Sequence, residues 1–343
     1  MDALDYAPRR FRACYAAAYL LLVRHLAWLW RVSYALFDWA PVYRIAQPLR
    51  RRWNLWIDRR FVAWLAQSPP DAVVATHFLP ADVCNTLKAA GRLRGPLIVV
   101  VTDLYPHRFW TSPAAEAMVV STPEGVRVLA ERGVARERLV TLGIPIARAF
   151  SAPADREALR GRLALSPQRL TVLVTSGGTT VGHFERVVES LAALEAALPE
   201  RLQLLIVCGE DARARRRLSA RSAGSPMPMR VFGFVDEMPE LMAASDIVVT
   251  KAGGLTVSEA LGRGLPLILY HVIPGQERLN AEHVVRHGAG LIARHARDVG
   301  RLVRRLAECA EELAAMRRAA RALSRPDAAE AIISQVLGPL IGR

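Results

Sequence analysis

The amino-acid sequence predicts an α/β protein in which two domains, each built on a mainly parallel sheet, face each other across a cleft. A chain of 343 residues with 52% hydrophobic residues is long enough for two separate cores. From residue 71 onward, short apolar runs alternate with helical segments, which is the pattern of parallel sheets. A polar, proline-containing stretch interrupts this alternation once. We therefore expect an N-terminal domain over residues 1–145, a linker over 146–168, a second domain over 169–325 and a C-terminal helix over 326–343.

The N-terminal domain is predicted to be helical over residues 8–67, with breaks at Pro41 and Pro48. A doubly wound domain normally opens with a strand and a glycine-rich turn, and neither precedes these helices, so this domain is predicted to be incomplete. Its strands are expected at 71–76, 96–102, 117–121 and 139–142, with helices at 81–91 and 123–132. The second domain is expected to have strands at 170–175, 203–208, 229–232, 246–250, 265–270 and 290–292, followed by a helical tail over 297–341.

Charge and cysteine content limit the classes of partner. The net charge is +14 and is carried almost entirely by arginine, since Lys88 and Lys251 are the only lysines. A basic surface suits nucleic acid, anionic lipid or an anionic substrate, but no nucleic-acid-binding module is recognisable, so nucleic acid is not a predicted partner. The four cysteines are far apart and fit neither a metal site nor a disulfide framework, which favours a reducing cytoplasm.

The N-terminal segment combines tryptophan with arginine in a way that favours a membrane surface. The apolar stretch 13–37 contains Arg24, His25 and Arg31, and a mid-bilayer arginine costs roughly 2.5–3.5 kcal/mol on insertion scales, so a membrane span is disfavoured. Six of the seven tryptophans nevertheless fall within residues 8–67. The alternative is that most of these rings pack in the core. We expect contact with anionic lipid through Trp28, Trp30, Arg50, Arg51, Arg52, Trp53 and Trp56.

Two glycine pairs of the second domain follow strands, where ligands bind in open α/β sheets. Backbone amides of glycine-rich loops can approach a phosphate, and a helix N-terminus favours negative charge. In the loop over 250–260, Lys251 adds a positive charge and Glu259 can accept hydrogen bonds from ribose hydroxyls. The alternative is an ordinary strand–helix turn. The glycines concerned are Gly177, Gly178, Gly253 and Gly254.

A third loop, over residues 273–280, follows the strand expected at 265–270. Gln276, Glu277 and Asn280 supply the amide and carboxylate groups that bind sugar hydroxyls. The alternative is a plain helix cap. Because this loop lies one strand away from the loop over 250–260, we expect both to border the same cleft.

These loops resemble a known enzyme family. The run Lys-Ala-Gly-Gly-Leu-Thr-Val-Ser-Glu-Ala at 251–260, Gly-Leu-Pro at 264–266 and Pro-Gly-Gln-Glu at 274–277 resemble the diacylglycerol sugar transferases. That family includes monogalactosyldiacylglycerol synthases and bacterial processive diacylglycerol glucosyltransferases. In the first half, Val-Thr-Asp at 101–103 with His107 and Trp110 resembles the acceptor-side loop of the family, and residues 142–146 with Phe150 resemble its interdomain connection. The resemblance spans nearly the whole chain.

The resemblance implies a GT-B fold and inverting transfer of a hexose from a UDP-sugar to diacylglycerol, in glycolipid synthesis. It assigns the diphosphate to Gly253 and Gly254, the ribose to Glu259 and the sugar hydroxyls to Gln276 and Glu277. The absence of an Asp-x-Asp motif implies catalysis without a metal, and no cofactor is expected. A helix terminus would then offset charge on the leaving diphosphate. The implied donor site comprises Gly177, Gly178, Phe232, Phe234, Val235, Lys251, Gly253, Gly254, Thr256, Glu259, Gln276, Glu277 and Asn280.

An inverting transferase also needs a base that takes the proton of the acceptor hydroxyl. Members of the family open with a strand and a glycine-rich loop ending in histidine, whereas this chain begins with residues that resemble the stretch after that loop. We expect either that the start is assigned too late or that the loop is lacking. Asp103 and His107 are the remaining candidates for catalysis, and Trp110 is assigned to the acceptor and membrane side.

The leading hypothesis is a peripheral enzyme at the cytoplasmic face of the cell membrane, with a UDP-sugar, diacylglycerol and anionic lipid as partners. Two alternatives remain open. The chain is a non-catalytic nucleotide-sugar- or lipid-binding homologue or a truncated gene product, or it is a UDP-sugar epimerase, which has a similar two-domain architecture.

Overall fold

The computed structural model describes residues 2–9, 11–12, 26–177 and 183–342. Residues 13–25, which belong to the predicted helical segment, lie outside these ranges, as does Gly178. The described residues belong to two compact units. The first comprises Met1–Pro145, Ile273–Gln276 and Asp327–Arg343, and the second comprises Ile146–Val272 and Glu277–Pro326. The α/β class and the parallel sheets predicted from the sequence are confirmed.

The first unit begins with helices and continues as a parallel sheet. Its helices are α1 (Ala27–Asp38), α2 (Ala40–Ile57), α3 (Arg59–Gln67), α4 (Phe78–Ala89) and α5 (Pro123–Glu131). Its strands, in spatial order, are β1 (Val73–Ala75), β2 (Leu97–Val100), β3 (Ala117–Val120) and β4 (Leu139–Thr141). Each pair is parallel, and Val99 is opposite Met118 in the register. The observed strands all lie within the ranges predicted from their apolar runs.

The two faces of this first sheet are covered by different parts of the chain. Side chains alternate between faces along a strand, so Leu97 and Val99 join a core that includes residues of α3, α4 and α5. Ile98 and Val100 on the opposite face pack instead with Ile332 and Val336. The latter two lie in a near-continuous helical segment made of α14 (Ala328–Ile332), a π-helical turn (Ile333–Leu337) and α15 (Gly338–Ile341). The C-terminal helix expected over 326–343 is therefore part of the first unit.

The second unit contains a six-stranded parallel sheet in the order β10-β9-β8-β5-β6-β7. The strands are β5 (Leu170–Thr175), β6 (Leu202–Val207), β7 (Met229–Phe232), β8 (Ile247–Thr250), β9 (Leu267–Tyr270) and β10 (Gly290–Ala293). The helices are α6 (Arg156–Arg162), α7 (Phe184–Ala192), α8 (Ala212–Ala223), α9 (Met238–Ala244), α10 (Gly254–Gly262), α11 (Gln276–Arg286), α12 (Ala296–Glu308) and α13 (Ala310–Leu323). The first residue of α11, Gln276, belongs to the first unit.

The strand order creates a topological switch point between β5 and β8. The chain builds outward from β5 through β6 and β7, and then returns to pair β8 with the other edge of β5. In open parallel sheets, ligands bind outside the carboxyl ends of the strands at such a point. The loops that follow β5 and β8 are therefore placed where a ligand is expected.

Two expectations about the connections are wrong. The stretch 146–168, expected to be a linker, is folded into the second unit, because Ile146, Phe150 and Leu165 are buried there. Pro48, expected to break the helical run, lies inside α2. Buried Tyr43, Asn54 and Ile57 hold α2 in place on both sides of the proline, so tertiary packing overrides the local preference.

In the part of the chain that the structure describes, no helix combines the length and apolarity needed to cross a bilayer.

Candidate functional site

The first candidate site is a pocket of about 90 Å³ at the carboxyl edge of the six-stranded sheet, which we call the switch-point pocket. Thr175 and Gly177 contribute from the end of β5, and Thr256 and Glu259 contribute from α10. The remaining lining residues come from the end of β6, from the loops after β6 and β7 and from α9, namely Val207, Gly209, Phe234, Val235, Met238 and Met242. Five residues of the donor site implied by the resemblance, Gly177, Phe234, Val235, Thr256 and Glu259, are thus brought together.

Glu259 is the one ionisable group that lines the switch-point pocket among the described residues. Burial raises the pKa of its carboxyl to about 7. A half-buried carboxylate in a small, partly apolar pocket gains from hydroxyl donors, because they replace the water that burial has removed. The pocket therefore has the chemistry of a site for a hydroxyl-bearing ligand such as a ribose.

The loop between β8 and α10 presents backbone amides beside this pocket. Gly253 is the N-cap residue of α10, and a Cβ added there would meet no atom of the described residues within 4 Å, so these leave the backbone open to approach. Gly254 starts the helix, where amide groups without intrahelical partners favour an anion. Lys251 is half-buried at the end of the same strand. These residues are suited to a phosphate group, although they are not among the lining residues of the switch-point pocket.

The position of Asn280 does not fit the prediction that it contacts a sugar. Its side chain is fully buried, and its Nδ2 donates a hydrogen bond of 2.9 Å to the carbonyl of Ala252. Asn280 therefore fixes the glycine loop from beneath. Glu277 is also buried, and Phe232 is the last residue of β7, where it is half-buried.

Five lining residues of the switch-point pocket were not predicted from the sequence. Thr175, Val207 and Gly209 lie at or just beyond the ends of two neighbouring parallel strands, and this position alone marks them as candidates. Met238 and Met242 lie on α9, and no sequence signal distinguishes them from ordinary core methionines.

The second candidate site is a cavity of about 210 Å³ in the first unit, which we call the aromatic pocket. One helix, α1, supplies Trp30, Ser33, Tyr34 and Phe37. The other lining residues are Phe78, Asp103, His107, Phe109, Trp110 and Gln276. Gln276, predicted to bind the donor sugar, thus lines the same pocket as the two candidates for catalysis. The pocket is mostly apolar, with a single carboxylate among the described residues that line it.

Asp103 has the properties of a general base. Its Oδ2 accepts a hydrogen bond of 3.1 Å from the indole N–H of Trp110. Burial raises the pKa of Asp103 to about 6, and the bond from Trp110 only partly opposes the shift. A carboxylate with a pKa close to neutrality can accept a proton without being permanently protonated.

His107 is corrected from a catalytic to a positioning role. Its Nδ1 accepts a hydrogen bond of 3.2 Å from the Phe109 N–H, so its Nε2 carries the proton and donates to the Tyr34 carbonyl at 3.1 Å. Burial lowers the pKa of His107, which keeps the ring neutral. Both ring nitrogens are engaged, and neither is left to take a proton from an acceptor. His107 instead fixes α1 to the loop that carries Asp103.

Asp38 makes a second connection between α1 and this loop. Its Oδ1 accepts from the Arg108 backbone N–H at 2.9 Å, and both of its oxygens accept from Arg132 at 2.9 Å. The Arg108 Nε also donates to the Asp38 carbonyl at 2.7 Å. The paired carboxylate and guanidinium lie 94 residues apart in the sequence. This network positions the wall of the aromatic pocket that α1 forms.

The first two helices expose large apolar side chains to solvent. On α1 they are Trp28, Leu29, Val32 and Leu36, Trp39 follows, and on α2 they are Ile45, Leu49, Trp53 and Trp56. The spacing of three or four residues places each set on one face of its helix. We call these nine residues the apolar surface. Isolated exposed apolar residues are ordinary, but nine of them on two successive helices indicate a binding surface.

Not all residues assigned to the acceptor and membrane side belong to the apolar surface. Trp110 is 1% exposed and lines the aromatic pocket, so it does not lie on an exposed face that could contact lipid. Arg50 forms an ion pair of 2.8 Å with buried Asp82, and its guanidinium lies over the Phe109 ring. Arg51 is within 4.0 Å of the same carboxylate. Arg52 is exposed, as predicted, and Trp30 is half-buried in the aromatic pocket.

Comparisons with known proteins cover both halves of the chain. The family model described as monogalactosyldiacylglycerol (MGDG) synthase matches residues 2–146, and the model for the glycosyltransferase family 28 C-terminal domain matches residues 171–332. A processive diacylglycerol β-glucosyltransferase of Bacillus cytotoxicus is 30% identical over 280 residues, which cover 81% of this chain and 70% of that protein.

Two solved structures have a similar fold. Acinetobacter baumannii MurG has a TM-score of 0.61 at 18% identity and covers 83% of this chain, with 78% of that protein matched. Anabaena HepE in complex with UDP has a TM-score of 0.58 at 18% identity, with 82% of each chain covered. At this level of identity the likeness establishes the fold alone.

Proposed function

The chain belongs to the glycosyltransferase family of the monogalactosyldiacylglycerol synthases and processive diacylglycerol glucosyltransferases, and on that premise we propose its donor, acceptor and location. It is a glycosyltransferase with the GT-B fold. We propose that it transfers a hexose from a UDP-sugar to diacylglycerol, with inversion and without a metal, at an anionic membrane surface. The observation that carries the proposal is half-buried Glu259 in the switch-point pocket, beside a helix N-terminus formed by two glycines.

The donor assignment rests on complementary chemistry in neighbouring parts of one loop and helix. The Glu259 carboxylate accepts hydrogen bonds from the ribose hydroxyls of the nucleotide. The amides at Gly253 and Gly254 and the positive end of α10 stabilise the charge that develops on the diphosphate. A divalent cation is then not required to offset this charge.

The acceptor assignment rests on the aromatic pocket. Its apolar lining suits a glyceride with one free hydroxyl, and Asp103 is the carboxylate that can take the proton. In the proposed reaction, the hydroxyl oxygen attacks the anomeric carbon while its proton passes to Asp103. The bond from that carbon to the diphosphate oxygen breaks, and its electron pair leaves with UDP. This single displacement inverts the anomeric centre.

The direct test is sugar transfer from a panel of UDP-sugars to diacylglycerol in liposomes that contain anionic lipid. We expect transfer that persists in EDTA and is abolished by Glu259→Ala and by Gln276→Ala, and the preferred donor identifies the sugar. Retained UDP binding without transfer would favour a non-catalytic homologue. Conversion of a free UDP-sugar to its epimer, without lipid, would favour an epimerase.

A separate test addresses the membrane surface. The apolar surface and exposed Arg52 suit the interface of an anionic bilayer, where tryptophan lies at headgroup depth. We expect the double variant Leu49→Ser, Trp53→Ser to lose most of its co-sedimentation with anionic vesicles. Ile292→Ser with Ile333→Ser removes two exposed apolar side chains elsewhere and should leave co-sedimentation unchanged. Equal losses in both variants would contradict the assignment of this surface.

A further inference from the structure

A second polar cavity, of about 270 Å³, lies at the opposite edge of the six-stranded sheet from the switch-point pocket. It is lined in part by Ser245 and Leu265, which just precede β8 and β9 and therefore mark the amino ends of these parallel strands. The rest of the lining comes from residues 151–154, Arg156 of α6, residues 262–264, α9 and α13. We call it the arginine pocket, because four arginines line it: Arg156, Arg263, Arg317 and Arg321.

The arginine pocket holds more positive than negative charge. Asp246, just behind the lining, pairs with Arg156 at 2.5 Å, with Arg160 at 2.6 Å and with Arg317. Burial alone would raise the pKa of Asp246, but hydrogen bonds from Arg156 and from the Thr171 amide, with the charges of the arginines, hold it below its usual value. One carboxylate thus faces three guanidiniums. No acidic side chain is found among the described residues that line the cavity.

Two further guanidiniums have no carboxylate partner within the described part of the chain. Arg321 forms no described ion pair, and its aliphatic stem lies against Gly264, where an added Cβ would be 2.7 Å from its Cγ. Arg263 donates to the Ala152 carbonyl at 2.5 Å and to the Ala149 carbonyl, while its buried Nε meets no described acceptor. Burial lowers the pKa of Arg263, which reflects the cost of holding this charge without a counter-charge.

We propose that the arginine pocket binds the phosphate group of a phosphate ester. Several guanidiniums converging on one cavity match the multiple oxygens of a phosphate, because each guanidinium offers a planar fork of donors. A cavity of about 270 Å³ accommodates a phosphate with a small organic substituent. The group can come from a soluble ester or from a phospholipid headgroup. Met242 is the one described residue that lines both this pocket and the proposed donor pocket.

The first experiment measures the affinity of the full chain for inorganic phosphate by calorimetry at constant ionic strength, set with chloride. Loss of one charge-assisted contact should weaken binding about tenfold, so we expect this effect for Arg321→Gln. Arg318→Gln removes the same charge from the same helix, but Arg318 does not line the pocket. The phosphate affinity of this control variant should therefore stay within about twofold of wild type. Absence of saturable binding in wild type, or equal affinities in both variants, would overturn the proposal.

The second experiment identifies the source of the phosphate group. Glycerol phosphate is titrated in solution, and vesicles of phosphatidylglycerol in phosphatidylcholine are tested by co-sedimentation, with the same two variants. A loss of glycerol phosphate affinity in Arg321→Gln alone, with vesicle binding equal in both variants, would assign a soluble ester. A loss of vesicle binding in Arg321→Gln beyond that in Arg318→Gln would assign a lipid headgroup. If Arg321→Gln differs from Arg318→Gln in neither arm, the proposal fails.

Discussion

At the scale of single residues, two partly buried carboxyl groups carry most of the proposed chemistry. Glu259 and Asp103 both have a raised pKa because burial penalises their charged forms. Folding therefore places each carboxylate where it is less stable than in water, and a ligand or a transferred proton can recover that cost. The two groups have different proposed roles, and these can be distinguished by the pH dependence of UDP-sugar affinity for Glu259 and of kcat for Asp103.

Glu259→Gln tests the ribose contact through two effects of opposite sign. Because the pKa of Glu259 is raised in the folded protein, wild type loses stability as pH rises from the unfolded-state pKa to about 7. The glutamine variant should therefore be more stable than wild type by on the order of 1–2 kcal/mol at pH 8, and equally stable at pH 4. Its affinity for a UDP-sugar should nevertheless fall, because the carboxylate acceptor is lost. In wild type, affinity should decrease up to about tenfold per pH unit below pH 7. Calorimetry should give a flat pH profile for the variant, and an identical slope in both proteins would exclude Glu259.

Asp103→Asn tests the proposed base. A carboxylate that must be deprotonated to act should make kcat fall as pH decreases through about 6, by about tenfold per unit. The asparagine variant keeps an acceptor for the Trp110 indole N–H but cannot take the proton, so kcat should drop by about 10²–10⁴. UDP-sugar affinity, measured separately, should be unchanged. A wild-type kcat that is constant from pH 5 to 8 would remove Asp103 from the mechanism.

At the scale of elements, α2 contains an internal proline, Pro48, at which the sequence predicts a break in the helix. Pro48 lacks the N–H that would bond within the helix, and an internal proline costs about 3 kcal/mol relative to alanine. Pro41 lies in the first turn of the same helix, where a missing N–H has little cost. The two positions therefore form an internal comparison.

Pro48→Ala should stabilise the first unit by about 2 kcal/mol, since the helical gain exceeds the entropy that the unfolded chain recovers. Pro41→Ala should change stability by less than about 1 kcal/mol. All seven tryptophans lie in residues 28–110, within the first unit, so urea unfolding followed by tryptophan fluorescence reports this unit. A gain for Pro41→Ala as large as that for Pro48→Ala would show that helix propensity is not the cause.

The elements were predictable where a local pattern dominates. Continuous apolar runs identify the strands, and a glycine pair after a strand identifies the loop that starts α10. Contacts between distant residues carry no such signal. The Asp38–Arg132 ion pair, the burial of Trp110 and the engagement of both His107 nitrogens depend on which elements fold together. For this reason the glycine loop before α10 was predicted from the sequence, whereas only some of the residues that line the aromatic pocket, among them Asp103 and His107, were named, and the arginine pocket was not predicted.

At the scale of the whole molecule, the C-terminal segment returns to the first unit. Ile332 and Val336 cover the face of the four-stranded sheet formed by Ile98, Val100 and Val119. A parallel sheet requires apolar cover on both faces, and the residues of α3, α4 and α5 that pack on this sheet belong to the core on the other face. The stability of the first unit therefore depends on residues that follow the second unit in the chain.

Adjacent isoleucines in this segment make that dependence testable. Ile332 is 5% exposed and Ile333 is 58% exposed, so the same substitution places a charge either in the core or in water. We expect Ile332→Asp to destabilise the first unit by about 3 kcal/mol or more, because it loses apolar burial and buries an unpaired carboxylate. Ile333→Asp should change stability by less than about 0.5 kcal/mol. Tryptophan fluorescence in urea measures both, and similar midpoints would mean that the first sheet does not need the C-terminal segment as cover.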